Sequence, residues 1–332
     1  MNAQPDILGD PWVNEIIPVR EHPAAPGADR AVLVYQRDAE TRDGGSPLPS
    51  AVLYLPGFVD YFFQSHFAQA FINAGIEFYG LDQRAQGRSI TDGDLEYIND
   101  LRLRNVEIAY AVRKLRERGH RHITLAGHST GGLQASIYAA RGTIGGPASS
   151  NPPAPAVDAL LLNSPWFALH RTQPLKAIGI AAAMLIGGRL PDASLGILGA
   201  DYVQNLHTNF GGEWDFDDGW KLLEEMPARA GFLRSVFALQ AELRRGLGLR
   251  IPVLLATSGK SGHPTKPTPE ELATCDVVLN PADMWRLSEK LGDDVTTRIF
   301  PGAVHDITLS RAQVRDDFTN IAVDWVHSHS HA

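Results

Sequence analysis

His122-Ile123-Thr124-Leu125-Ala126-Gly127-His128-Ser129-Thr130-Gly131-Gly132, followed by the apolar run 133–140, reads as strand, tight turn and helix. A serine at the tip of such a turn is held in a strained backbone conformation, so small residues must flank it two positions away on either side. Gly127 and Gly131 provide that clearance. Ser129 then projects above the strand end as a nucleophile, and its place at the helix start lets the Thr130 N–H stabilise a developing oxyanion. The same pattern also occurs by chance in glycine-rich turns; the strand before it and the helix after it give it weight here. A phosphate-cradling loop would end in Lys-Ser/Thr, which this segment lacks.

A serine hydroxyl needs a base, and imidazole works best near neutral pH. Among twelve histidines, His305 follows the last β-rich run, Val295 to Phe300, on the loop Pro301-Gly302-Ala303-Val304-His305-Asp306. That puts it at the carboxyl end of the sheet, where Ser129 also lies. His327, His329 and His331 read as a solvated tail, and His128 as packing inside the elbow. The third member is a carboxylate that fixes the imidazole tautomer. Asp276 is the choice, after the run Ile251 to Thr257 and the polar loop Ser258 to Thr274. Asp283, also readable as a helix N-terminal dipole partner, Asp293, Asp294, Glu270 and Glu271 stay open as alternatives.

A second oxyanion donor is expected after the run Ala51 to Leu55, at the N–H of Phe58 in Pro56-Gly57-Phe58-Val59-Asp60, where Gly57 permits close backbone approach. Phe58 and Tyr61-Phe62-Phe63 either line an apolar pocket or pack the core. Further runs at Glu77 to Leu81 and Val157 to Leu162 alternate with helical patterns, which is the signature of parallel strands joined by crossover helices. The clearest helix follows Asn99, where Ile108, Val112 and Leu115 recur at helical spacing among charged residues. Gly142 to Pro155 reads as a loop.

From about Pro165 to Gly248 the alternation breaks, in apolar helical runs and then the loop-like Asn209 to Trp220. A structureless loop of that length is improbable in a compact domain, so a cap with its own secondary structure is expected. The expected organisation is a core of residues 1–164, a cap of 165–248 and the rest of the core from 249–332. Trp166, Phe167, Trp214, Phe216 and Trp220 would form either an apolar wall for substrate or the cap's own core.

The chain has 332 residues, 44% of them hydrophobic, with a formal net charge of −8. Clustered Lys and Arg for phosphate neutralisation are not found, which speaks against nucleic-acid binding. The single cysteine, Cys275, leaves no internal disulfide and no cysteine-based zinc cluster, compatible with a reducing cytoplasm. Residues 1–20 carry Asp6, Asp10 and Glu15 and do not read as a secretory signal. The most apolar run, Ala177 to Gly188, is well short of the roughly 20 residues a spanning helix needs, and reads as a buried or lid helix.

Four segments resemble the α/β-hydrolase family, and within it the serine aminopeptidase S33-like group that includes monoacylglycerol lipases and lysophospholipases. They are Leu55-Pro56-Gly57-Phe58-Val59, Leu81-Asp82-Gln83-Arg84-Ala85-Gln86-Gly87-Arg88-Ser89, the Ser129 elbow, and Pro301 to Asp306. The likeness covers most of residues 50–325. It implies an α/β fold with a mostly parallel, doubly wound sheet and an inserted, largely helical cap. It also implies carboxylic ester hydrolysis through an acyl-enzyme on Ser129, on a small-molecule ester with an apolar acyl or aryl group, with no metal or organic cofactor. In that family the Asp82 to Ser89 region is a structural loop. Two departures stand out: Pro56-Gly57 where members often have His-Gly, and a long loop in place of the short acid-bearing turn before Asp276. Peptidase, thioesterase, carbon–carbon bond hydrolase and a non-catalytic binding protein stay open as other uses of the fold.

Overall fold

Val52 and Tyr54 point to one side of their strand and Leu53 and Leu55 to the other, and all four side chains are buried. A strand that is dry on both faces must lie inside a sheet covered by helices on both sides. The computed structural model describes residues 3–19, 29–37, 48–91, 95–96, 98–142, 157–170, 180–181 and 183–330.

In chain order the elements are β1 (Gln4–Pro5), β2 (Trp12–Pro18), β3 (Arg30–Gln36), β4 (Ser50–Leu55), α1 (Ser65–Asn73), β5 (Glu77–Asp82), α2 (Asn105–Glu117), β6 (His122–His128), α3 (Thr130–Arg141) and β7 (Ala159–Asn163). There follow β8 (Ser194–Leu198), α4 (Asp201–Leu206), β9 (Met226–Arg229), α5 (Ala230–Arg244), β10 (Val253–Ser258), α6 (Pro269–Thr274), α7 (Pro281–Ser288), β11 (Val295–Phe300) and α8 (Ala312–His329). Nine strands form one sheet in the order β1-β2-β3-β5-β4-β6-β7-β10-β11. From β5 to β11 every neighbouring pair is parallel. This is the α/β-hydrolase architecture expected from the sequence.

Alternation along the strands sorts the core into two layers. Leu53, Leu55, Leu125 and Leu160 pack with Ile108 and Val112 of α2 and Leu133 of α3. Val52, Tyr54, Ala126 and Leu161 pack with Phe67 and Phe71 of α1 and Phe318 and Trp325 of α8. Burying each large apolar side chain contributes about 1.5–3 kcal/mol. The chain leaves β4 toward β5 on one side and returns to β6 on the other, so the carboxyl ends of β4 and β6 open at the point where strand order reverses.

Each of the six expected β-rich runs is a strand, and the helix carrying Ile108, Val112 and Leu115 is α2. The expected runs did not include β1, β2 and β3, which add an antiparallel edge, although Ala31 to Tyr35 in β3 is itself a continuous buried apolar run. β2 is the strand its own sequence hides, since Glu15 is buried in mid-strand and interrupts the apolar pattern. Lys114 of α2 and Arg118 just beyond it supply its countercharges, and no local reading of β2 contains them. The polar loop expected from Ser258 to Thr274 contains a short helix, α6, opened by a capping box between Thr268 and Glu271. The segment 165–248 includes, beside α4 and α5, the antiparallel pair β8–β9. Of the apolar run 177–188, residues 180–181 and 183–186 are helical, and 177–179 and 182 lie outside the described residues, as does the expected loop at 143–155. Among the described residues no helix is long and apolar enough to cross a membrane.

Beyond the end of α2, His120 is buried, with Nδ1 2.7 Å from Leu48 O and Nε2 2.9 Å from the Tyr79 hydroxyl. A carbonyl partner requires a proton on Nδ1, which leaves Nε2 to accept from Tyr79: the neutral tautomer. Burial holds His120 below its ordinary value, only partly offset by Leu48 O. The unfolded chain, with histidine near 6.5, therefore takes up a proton first as pH falls, and that favours unfolding. The stability advantage of wild type over His120→Asn is expected to shrink between about pH 7.5 and pH 5.5 in urea titrations. An advantage that grows over that range would contradict the assignment.

Candidate active site

The turn between β6 and α3 is strained as its sequence requires. Ser129 has φ +52° and ψ −115°, a conformation L residues seldom adopt, at a cost of about 1–3 kcal/mol. Two glycines make the turn sterically possible. A Cβ on Gly127 would lie 2.6 Å from Gly131 O, and one on Gly131 would lie 2.3 Å from Pro56 O. The elbow is fastened by Ser129 N donating to Asn163 O at 3.1 Å, while Ser129 O accepts from Leu133 N at 3.1 Å and Trp166 N at 2.9 Å.

Beyond β11 the chain turns at Pro301-Gly302 and carries His305 over the sheet end. His305 Nε2 lies 3.0 Å from Ser129 Oγ, and His305 Nδ1 lies 2.9 Å from Asp276 Oδ2. Ser129 is 7%, His305 3% and Asp276 0% exposed. The other oxygen of Asp276 accepts from Val278 N at 2.9 Å and Leu279 N at 2.7 Å, so the carboxylate is fixed from behind. The long loop returns Asp276 to the end of β10 because Asp276 N donates to Lys260 O and Gly262 N donates to Asp276 O, each at 2.9 Å. Asp283, by contrast, lies in the first turn of α7 and pairs with Arg286 at 2.8 Å.

Phe58 and Thr130, the expected oxyanion donors, lie on the loop after β4 and at the first residue of α3. A Cβ on Gly57 would lie 3.3 Å from Ser129 Cβ, which shows how close the β4 loop comes. The aromatic residues named from sequence divide among three clusters, with Phe62 in the layer that holds Phe67 and Phe78. Phe58, Trp166 and Phe167 belong to the main core with Phe232 of α5, whose ring lies 4.4 Å from that of Phe58. Trp214 and Trp220 pack with Tyr61, Phe63 and Phe216. Trp214 stacks on His66 at 4.7 Å and lines a surface cleft of about 510 Å³ with Glu213 and Arg315.

A buried charged cluster beneath His305 was not named from sequence. Asp60, His128 and Asp306 bring ligand-type atoms within 4.8 Å of one another. Lys221, from the segment between β7 and β10, sets its ammonium 2.7 Å from Asp60 Oδ1 and so supplies positive charge to this group. Burial would raise the Asp306 carboxyl, but His128, Thr308, Lys221 and Asn163 together hold it below the usual range. His128 is pushed down by burial, against the pull of Asp306. The His128 ring lies 4.8 Å from that of His305, so positive charge on both rings at once would be opposed. Tyr202 adds its hydroxyl as acceptor for Asp306 N at 2.8 Å. The available sequence signal was Lys221 itself, a lone basic residue in the aromatic and acidic stretch 213–225.

The sequence model of a family described as serine aminopeptidase, S33, matches residues 48–261. No curated protein matches the chain in sequence. Among solved structures, a monoacylglycerol lipase of Paleococcus ferrophilus is similar with a TM-score of 0.64 at 20% identity, covering 86% of this chain and 96% of that one. A soluble variant of monoglyceride lipase from Saccharomyces cerevisiae, in complex with a substrate analog, gives 0.66 at 16% identity over 90% and 92%. A highly thermostable carboxyl esterase from Bacillus coagulans gives 0.60 at 14% identity over 96% and 99%.

Proposed function

Since the chain belongs to the serine aminopeptidase S33 family, we propose that it is a serine hydrolase that cleaves carboxylic esters of carboxylesterase or monoacylglycerol and lysophospholipid lipase type. The observation that carries this reading is the continuous line of hydrogen-bond distances from Ser129 Oγ through His305 to Asp276. Ser129 Oγ attacks the ester carbonyl carbon while its proton passes to His305 Nε2. Asp276 keeps the Nδ1 proton in place and stabilises the imidazolium. The carbonyl oxygen, now an oxyanion, is held by the N–H groups of Phe58 and Thr130. His305 then gives its proton to the departing alcohol, leaving the acyl group on Ser129. Water, deprotonated by His305, attacks the acyl carbon, and Ser129 recovers its proton as the acid leaves. Groups of the chain itself handle every proton and charge in this sequence.

An ester with an apolar acyl or aryl group suits the aromatic surface of Phe58 and Trp166 beside Ser129, backed by Phe232. The similar monoglyceride lipase and carboxyl esterase structures point to the same bond type. Residues 165–248 serve as the cap over a core of 1–164 and 249–332, contributing Phe232, Tyr202 and Lys221 around the site.

The test is labelling with a fluorophosphonate probe, located by peptide mass spectrometry, alongside p-nitrophenyl esters of graded chain length, monoacylglycerols and aminoacyl amides. Labelling of Ser129 with turnover of esters over amides is expected. Labelling elsewhere, or preference for amides, would reject the reading.

A further inference from the structure

The peptide group that carries the Phe58 N–H is tied down at its other end. Gln86 Nε2 donates to Gly57 O at 2.5 Å. In a planar trans peptide the C=O and N–H point to opposite sides, so whatever fixes Gly57 O also fixes the aim of the Phe58 N–H. Pro56, at the head of this loop, has neither an N–H nor a polar side chain with which to do so.

Gln86 is held in turn. Its amide also donates to Glu96 Oε1, and the same oxygen accepts from Val59 N at 2.9 Å, one peptide beyond Phe58 N. Arg104 Nη2 reaches Glu96 Oε2 at 2.7 Å and Arg84 O at 2.9 Å. Gln86, Glu96 and Arg104 are all buried. The backbone is bent to bring them together: Val59, Ala85 and Glu96 have φ of +49°, +62° and +57°, and Glu96 N donates to Ala85 O at 2.8 Å. One carboxylate therefore grips the oxyanion loop twice, through its own contact with Val59 and through Gln86.

We infer that Gln86, held by Glu96 and Arg104, is a positioning residue that aims the Phe58 N–H at the oxyanion. This deepens the ester-hydrolase reading and rests on it. It also gives the loop from Asp82 to Ser89 a second task beside the structural one, in which Asp82 braces Phe62 N at 2.8 Å and Arg88 at 2.7 Å. A misdirected donor loses most of its value in the tetrahedral state, where charge resides on oxygen, and little in the ground state.

The experiment uses full-length Gln86→Leu and Glu96→Gln proteins. Steady-state hydrolysis of a p-nitrophenyl ester is compared with inhibition by a trifluoromethyl ketone of matching chain length, which forms a tetrahedral adduct on the serine. For Gln86→Leu, kcat is expected to fall roughly 10- to 100-fold with KM within about threefold of wild type. The ketone's Ki should rise by the factor by which kcat/KM falls. Glu96→Gln should show the same pattern at about fivefold or more. A variant that melts like wild type yet keeps kcat within about twofold, or that raises KM alone, overturns the inference. If neither variant folds, the network is a folding element and the inference is likewise overturned. Failure of the underlying reading shows separately, in wild type, as no ester turnover that Ser129→Ala abolishes; the inference then falls with it.

Discussion

Ser129→Ala is expected to lower kcat for a p-nitrophenyl ester by about 10⁴-fold or more. Alanine has the same steric demands as serine at φ +52°, so the elbow keeps its backbone strain and its hydrogen bonds to Asn163, Leu133 and Trp166. The structural loss is one polar contact, which leaves His305 Nε2 without its partner at 3.0 Å. That costs stability on the order of 1–3 kcal/mol at most, far too little to unfold an ordinary domain. Residues that act as one unit give non-additive losses, so the double variant Ser129→Ala, His305→Ala should be no slower than either single one by more than a small factor. Retained turnover in Ser129→Ala, with melting unchanged, would reject the acyl-enzyme mechanism. Steady-state kinetics with active-site titration of the wild type make the comparison.

The second large effect is expected from Asp276→Asn, at about 10³- to 10⁴-fold in kcat. Its cause lies in how the carboxylate is bonded. Oδ1 accepts from two backbone N–H groups, Val278 and Leu279, and only an oxygen can do that. Asparagine must therefore keep its carbonyl oxygen there and turn its NH₂ toward His305 Nδ1. An NH₂ opposite Nδ1 favours the tautomer with the proton on Nε2, the nitrogen that faces Ser129 Oγ. The ring then meets the serine as a donor and cannot act as its base. Binding surfaces are untouched, so KM should change little. Asp283→Asn, which alters only the first turn of α7 and its pair with Arg286, should leave kcat within about twofold. The reverse ranking of the two variants would assign the acid elsewhere.

The elbow was legible because its causes are local. Gly127, Ser129 and Gly131 state a steric requirement within five residues, and the strand and helix around them follow from periodicity. Five of the six expected strands, β4, β5, β6, β7 and β10, were legible for a similar reason: each is buried on both faces. β11 is a part-exposed edge strand and was legible from its β-branched residues instead. β2 was not, since Glu15 looks like a surface residue until Lys114 and Arg118 stand beside it. The aromatic residues marked from sequence carried no information on grouping, and packing divides them among a cluster with Phe232, one with Tyr202 and, for Phe62, the layer with Phe67. The cluster of Asp60, His128, Asp306 and Lys221 was also hidden, because each member taken alone resembles an ordinary polar residue.

The strand–turn–helix that bears Ser129, the loop that bears His305 and the place of a carboxylate between them in chain order were all legible in the sequence alone. Only the tertiary structure chose among the six carboxylates named for the acid position, by placing Asp276 and not Asp283 against His305. Only it showed that Gln86 and Glu96 hold the loop beside the serine. The reason is one of range. Backbone conformation and capping depend on neighbours a few positions away, whereas a hydrogen bond between residues 176 positions apart, such as Ser129 to His305, exists only once the sheet has brought its strand ends together.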